Sequence, residues 1–277
     1  MNARRAALAG GALLAAVLGA AASEPPRRIV SLVPSHTAIV ADLGAADRLA
    51  GVSSAEPDGS YPHLPRVGGL QPSFEELMRL KPDLVLADTS HRRFDATFRR
   101  LGLAVLYLPG TDAATLEEVF GIVLDVGRLL DRSARAEERV AGLRRRVATA
   151  RARIPSGAPR PRVYFEIWPR PIQGAARVSL RGDLLAQAGA ENILPDSGGL
   201  TALVSLEWVP RQAPDVILHT GVVDGASIGS RPGWDRIPAV KNGRVRAVDQ
   251  DKFSQACPRI VDAFEELVDI LYGTPAR

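Results

Sequence analysis

The sequence predicts an α/β protein of two Rossmann-like lobes with parallel sheets, joined by one long backbone helix. Three features of the chain point to it. Runs of β-branched residues alternate with helical segments along most of the chain, the pattern of parallel strands covered on both faces by helices. A helix of unusual length, Ser133 to Ile154, stands near the middle. The stretch Ser73–Leu86 recurs without a gap as Ser205–Leu218, with serine, glutamate, arginine and a Pro-Asp-strand entry at the same offsets. Its position on either side of the long helix points to an internal duplication.

Residues 1–22 read as an export signal outside the fold. Asn2 to Arg5 is basic, Ala6 to Leu18 is a short apolar run, and Ala20-Ala21-Ala22 offers an A-x-A cleavage site before Ser23. A membrane anchor is the weaker reading, because the apolar run is short for a span and is broken by glycines. No cysteine stands near the cleavage site to carry a lipid.

The first lobe is expected over 27–131. Arg28 to Val33 is a strand, Pro34-Ser35-His36-Thr37 breaks it as a loop, and a short helix runs to Gly44. Leu49 to Ser53 is a second strand, followed by a turn-rich loop from Ala55 to Pro65. Ser73 and Glu76 form a capping box opening a helix to Leu80. Leu84 to Ala87 and Ala104 to Leu108 are strands, separated by a helix from Arg92 to Leu101, and Thr115 to Leu130 is a helix. The backbone helix occupies 132–155. Val140, Leu143, Val147, Ala150 and Ile154 recur at steps of three and four on one stripe, and arginines fill the other faces. Ser133 is the expected N-cap, and Pro155 with Gly157 ends a rod of roughly 33 Å. The second lobe covers 160–277, with strands at Arg162–Ile167, Asp215–Leu218 and Arg244–Val248. Its helices are Gly182–Ala188, Ser205–Arg211 and Pro258–Tyr272.

Composition narrows the function. The chain has 277 residues, 46% hydrophobic and 24% charged, which suits a soluble globular protein of two domains or one large one. A single cysteine, Cys257, excludes an intrachain disulfide. The net charge of +4 resides partly in the leader and partly in the arginine-rich helix. No aromatic residues are interleaved there for base stacking, so nucleic acid is not an expected partner.

In open parallel sheets ligands sit outside the carboxyl ends of the strands, and two facing lobes would make those ends the walls of one cleft. The residues there include Pro34, Ser35 and His36, Asp88 to His91, Trp168 to Gln173, His219 and Asp249 to Gln255. They contain no nucleophile elbow, zinc-protease motif, phosphate loop or dinucleotide fingerprint, so no catalytic residues are assigned. Of the four histidines, His36, His63 and His91 fall in predicted loops of the first lobe. They read either as polar loop residues or caps, or as His36 and His91 converging on a metal with Asp88 or Asp251. Trp168, followed by Pro169 and Pro171, is either core or an aromatic ligand face. Glu75 and Glu207 occupy equivalent places near the starts of short helices. The helix dipole alone would favour them there, and their pairing also suits docking on a symmetric, arginine-bearing partner.

Five segments give the chain a family likeness: Arg28-Ile29-Val30-Ser31-Leu32-Val33-Pro34-Ser35, Val67-Gly68-Gly69, Lys81-Pro82-Asp83-Leu84-Val85-Leu86-Ala87, Glu191-Asn192-Ile193 and Pro258-Arg259-Ile260. In these it resembles the helical-backbone (class III) substrate-binding proteins of bacterial ABC importers, most of all their cobalamin-binding branch. The resemblance implies a periplasmic, monomeric receptor with no cofactor, which captures a metal chelate and hands it to an inner-membrane permease. It implies that Pro34, Asp88, Trp168 and Asp251 line the cleft, with Ser35, His36, His91 and Phe253 as further ligand-binding candidates, and that Glu75 and Glu207 dock the permease. Cobalamin or another corrinoid is the first expectation; haem, a ferric siderophore or a metal ion is the alternative. A chelatase-like enzyme is the third reading. The chain departs from the cobalamin-binding pattern in having Asp88 after the third strand and no tryptophan near Ala202.

Overall fold

The computed structural model describes residues 24–157, 159–222 and 224–273; the export segment and its cleavage site lie outside them. The chain divides into two compact units. One comprises the residues up to Gly110 together with Phe120–Val140, and the other Thr111–Val119 together with the chain from Ala141 onward.

The first unit is built on a four-stranded parallel sheet in the order β2-β1-β3-β4, formed by Ile29–Ser31 (β1), Leu49–Gly51 (β2), Leu84–Ala87 (β3) and Val105–Tyr107 (β4). All of β1 and β3 is buried, as expected of strands covered on both faces. Helix α1 (Pro34–Asp42) starts immediately after β1, so Pro34 to Thr37 are a first helical turn and not the expected loop. Pro34 is tolerated there because the N–H it lacks has no intrahelical partner at that position. The His36 and Thr37 N–H groups both return to the Val33 carbonyl, at 3.0 and 3.1 Å. Helix α2 (Phe74–Leu80) is capped by Ser73, whose Oγ accepts the Glu76 N–H at 3.4 Å. The expected box is half formed, since the Glu76 carboxylate turns to Arg79 at 2.6 Å. Helix α3 (Asp95–Arg100) follows a 3₁₀ turn over Thr89–Phe94, and α4 spans Leu116–Leu129.

The long helix α5 (Ser133–Ala152) buries Ala136, Val140, Leu143, Val147 and Ala150, whereas Ile154, the last residue expected on the stripe, lies beyond the helix and is half-buried. Its first intrahelical bond runs from the Ala136 N–H to the Arg132 carbonyl, so Arg132 and not Ser133 holds the cap position. Several arginines on its polar faces are ion-paired. Arg139 meets Asp42 at 2.8 Å, Arg144 meets Glu117 at 2.6 Å, and Arg146 forks between Asp262 at 2.5 Å and Glu265 at 2.6 Å. Exposed pairs of this kind each contribute at most about 1 kcal/mol.

The second unit corrects the prediction of parallel sheets. Its sheet is mixed, in the order β10-β9-β5-β6-β8. Arg162–Pro169 (β5), Glu191–Asn192 (β7), Val216–Thr220 (β9) and Val245–Val248 (β10) pair in parallel, whereas Ile172–Ala175 (β6) and Thr201–Leu203 (β8) run antiparallel. After β5 the chain doubles back through Pro169–Pro171 instead of crossing by a helix, and a tight reversal can only make an antiparallel pair. Helices α6 (Leu180–Gln187), α10 (Gln250–Ser254) and α11 (Ile260–Tyr272) carry much of the remaining core, among them Leu184, Phe253, Phe264 and Leu267.

The repeat read in the sequence is also a repeated set of bonds. In the first unit Arg28, at the mouth of β1, caps the end of α2 by donating to the Leu80 carbonyl at 2.7 Å, and Asp83 Oδ2 accepts the Arg28 N–H at 3.0 Å. In the second, Arg162 at the mouth of β5 donates to the Gln212 carbonyl at 3.2 Å, and Asp215 accepts the Arg162 N–H at 2.8 Å. Gln212 ends α7 (Trp208–Gln212). Both helices close on a non-glycine residue with positive φ, Lys81 at 46° and Ala213 at 47°.

Candidate functional site

In the first unit the strand ends carry Pro34, Ser35, Asp88 and His91. Asp88 follows β3 and caps the 3₁₀ turn: its Oδ1 accepts the Ser90 N–H at 3.0 Å and the Ser90 hydroxyl at 2.5 Å. His91 Nδ1 stands 2.7 Å from the same oxygen, and Nε2 donates to the Gly69 carbonyl at 2.9 Å. The Asp88 N–H also points at Nδ1, at 3.3 Å, but the shorter contact to a carboxylate places a proton on that nitrogen, which makes the ring an imidazolium. Burial alone would raise the Asp88 pKa, yet the hydrogen bonds from His91 and Ser90 hold it below the usual carboxylate value. Burial alone would lower that of His91, and bonding to Asp88 and to the Gly69 carbonyl carries it above the usual imidazole value.

These contacts engage the two histidines weighed as metal ligands from the sequence. His36 belongs to a buried helical turn with Nε2 3.0 Å from the Pro109 carbonyl, and both ring nitrogens of His91 are engaged within the unit. Among the described residues no group of three or more histidine, cysteine, aspartate or glutamate side chains could hold a metal ion. His63 is exposed in a turn.

In the second unit the tip of the antiparallel segment forms the most open surface. Glu166 pairs with Gly174 but Trp168 pairs with Gln173, so Ile167 is the extra residue of a β-bulge. A bulge turns the next side chain to the other face, and the outcome differs sharply for two residues only two apart. Glu166 has no exposed surface, whereas Trp168 is 46% exposed, with its Nε1 tied to the Arg170 carbonyl at 3.0 Å. Gln173 pairs in turn with Leu203, which is 67% exposed. Trp168, Gln173 and Leu203 therefore form one cross-strand row with apolar ends.

A cavity of about 520 Å³ lies at the same end of the sheet, lined by Pro169, Arg170, Val222, Asp224, Ser227, Ser230, Arg231 and Pro232. Arg231 is held by Glu166 through two bonds of 2.6 Å, and its guanidinium lies 4.5 Å from the centre of the Trp234 ring. Removing one partner of so buried a pair costs about 3–5 kcal/mol, because the other charge is left unmatched. The pair anchors one cavity wall without adding net charge, and Arg170 is an exposed cation on the rim. Such a surface suits a ligand with a broad apolar face and polar substituents.

The other candidates fall on both sides of this. Asp251 is exposed on α10, while Phe253, two residues on, has no exposed surface and packs edge-on against Phe165 with centroids 5.7 Å apart. Phe253 is a core residue in this structure, and the ligand-facing reading of it is corrected. Ser35 is buried and Pro34 half-buried. Glu75 is exposed in the first turn of α2; Glu207 is exposed at the position capping α7, because that helix starts at Trp208 and not at the expected Ser205. Glu166, Arg231 and Leu203 were missed. A lone carboxylate inside the apolar run Val163–Ile167 was the available signal for Glu166, but nothing local names a partner 65 residues away.

An α/β fold with an exposed aromatic row and a cavity at one end of its second sheet suits a small-molecule binding protein. A model described as periplasmic binding protein matches residues 29–252, and the chain belongs to that family. It is 29% identical over 258 residues to the uncharacterized ABC transporter substrate-binding lipoprotein YvrC of Bacillus subtilis, covering 89% of this chain and 80% of that one. It is 30% identical over 269 residues to a cobalamin-binding protein of Halobacterium salinarum, covering 90% and 70%. Among solved structures, the periplasmic heme-binding protein RhuT from Roseiflexus sp. RS-1 superposes with a TM-score of 0.77 at 26% identity, covering 89% of this chain and 98% of that one. The class III likeness read from the sequence is thereby borne out. No helix among the described residues is long and apolar enough to cross a membrane.

Proposed function

We propose that this protein is the exported receptor of an ABC importer, and that it captures a tetrapyrrole metal chelate, cobalamin or another corrinoid before haem. The observation that carries the ligand class is the cross-strand row of Trp168, Gln173 and Leu203 beside a cavity of about 520 Å³. A flat macrocycle fringed with polar groups needs an aromatic plate and hydrogen-bonding walls, and Trp168 with Arg170, Ser227 and Ser230 supplies both. The near full-length similarity to a protein named for cobalamin binding supports the corrinoid. Asp251, exposed on the second unit, is a further polar contact of this reading. A membrane permease is the partner, with Glu75 and Glu207 as its docking carboxylates, one on each unit.

The test is a visible-absorbance and calorimetric titration of the mature protein with cyanocobalamin and then haemin. Saturable binding of the corrin is expected, and Trp168→Ala should weaken it about tenfold or more. Since Trp168 is half exposed, the unfolding midpoint of that variant should stay close to that of the wild type. Haemin binding without corrin binding would favour the second reading, which the likeness to RhuT supports.

A further inference from the structure

The second unit holds a cation that its own fold does not neutralise. Arg181 is the second residue of α6, just after the Ser179 cap. Its Nε is buried and has no hydrogen-bond partner among the described residues. The nearest acid in sequence, Asp183, is committed elsewhere: its Oδ2 accepts the Leu116 N–H at 2.9 Å and the Gln187 amide at 2.5 Å. Burial pulls the Arg181 pKa down to about 10, and no ion pair to a carboxylate offsets it among the described residues. At neutral pH the group is still charged.

Its surroundings set it apart from the other half-buried arginines of the unit. Arg231 is matched by Glu166, Arg162 by Glu191, and Arg146 by Asp262 and Glu265, while Arg244, which has no carboxylate partner, donates to the Ile270 and Leu271 carbonyls. Arg181 has the ring of Phe165, on β5, with its Cζ 5.7 Å from the centroid. A contact at that distance is near the limit of a cation–π interaction and offsets little of the lost hydration. The residue as a whole keeps some exposed surface, although its Nε is buried.

We infer that Arg181 is an oxyanion-receiving subsite of the second unit, which takes a carboxylate or phosphate group carried by the ligand. A guanidinium presents parallel N–H donors to such groups, and a partly dehydrated one gains more from the pairing than one in water. The inference rests on the importer reading for the ligand that brings the anion; the anion preference itself belongs to the unliganded protein.

Two measurements test it. In the first, thermal unfolding of the ligand-free mature protein is followed as inorganic phosphate replaces chloride at constant ionic strength. The wild-type midpoint should rise by about 2–4 °C, the effect of a weak site filled by mass action. Arg181→Met should show no phosphate response and a midpoint in chloride no lower than wild type, because an unmatched charge has been removed. Arg181→Gln serves the same comparison if the methionine variant fails to fold. An equal phosphate response in wild type and variant would overturn the inference, as would a large loss of midpoint in chloride.

In the second, haemin is compared with its dimethyl ester, and cyanocobalamin with cobinamide, which lacks the phosphodiester. Loss of Arg181 should weaken the oxyanion-bearing member of whichever pair binds by about tenfold or more and leave the member that lacks the oxyanion unchanged. Equal weakening of both members would overturn the subsite. A wild-type protein that responds to phosphate yet binds no tetrapyrrole would instead sink the ligand proposed above and leave the oxyanion site standing.

Discussion

The Asp88–His91 pair is a buried charge couple whose effect depends on pH, and its sign follows from the two shifts. His91 is raised above 6.5, so its stabilisation is complete below about that pH and fades as the pH rises through the folded-state value. Asp88 is lowered from 3.8, so its stabilisation is present above that pH and is lost as the pH falls through its folded-state value. The pair therefore supports the first unit most fully between about pH 4 and pH 6.5. Unfolding midpoints of wild type and Asp88→Asn, measured from pH 3 to pH 9, should lie furthest apart in that window and converge on either side. Parallel curves across the range would mean that His91 is held neutral. From the sequence, Asp88 and His91 were marked as strand-end residues, but their engagement with each other and with the Gly69 carbonyl was not legible. Helical spacing allows i,i+3 contact without requiring it, and Gly69 lies 22 residues away.

The duplicated clamp is a property of elements. Each unit ties the start of its first strand to the end of the helix preceding the neighbouring parallel strand, through an arginine on one side and an aspartate on the other. The aspartate accepts main-chain N–H groups that would otherwise go unpaired at a strand end. Asp83→Ala and Asp215→Ala should each cost about 1–3 kcal/mol, measured by urea unfolding, and the two losses should add because they fall in separate units. A loss at one site with none at the other would show that the repeat is one of sequence and not of energetics. The repeat was visible in the sequence because Pro-Asp before a strand is a short local pattern. The reversal at Pro169–Pro171 is not legible in the sequence, since the runs that form β6 and β8 are four and three residues long and have no strong β periodicity.

At the level of the whole molecule, the two exposed glutamates are the features to test for delivery. Glu75 and Glu207 are exposed at corresponding turns of the repeat, and neither contributes to a hydrophobic core. In the receptor proposed above, the double variant Glu75→Ala with Glu207→Ala should bind ligand as tightly as wild type and melt within about 1 °C of it, as surface substitutions do. Uptake in a transport assay reconstituted with the cognate permease should fall by about tenfold or more, the loss of two charge-assisted contacts at a docking surface. A drop in ligand affinity would remove both residues from the docking role.

Alternation of strand and helix, the apolar stripe of α5, the repeat and the family likeness could all be read before any coordinates. Each depends on periodicity or on residues close together in the chain, and local backbone preference with one-sided burial is enough to express them. The rest depended on the folded chain. The bulge at Ile167, the pairing of Glu166 with Arg231, the burial of His36 and Phe253, and the unmatched charge of Arg181 all arise from contacts between distant segments. Whether a polar side chain is satisfied, exposed or stranded is set by the neighbours that folding brings to it, and a linear pattern does not name those neighbours.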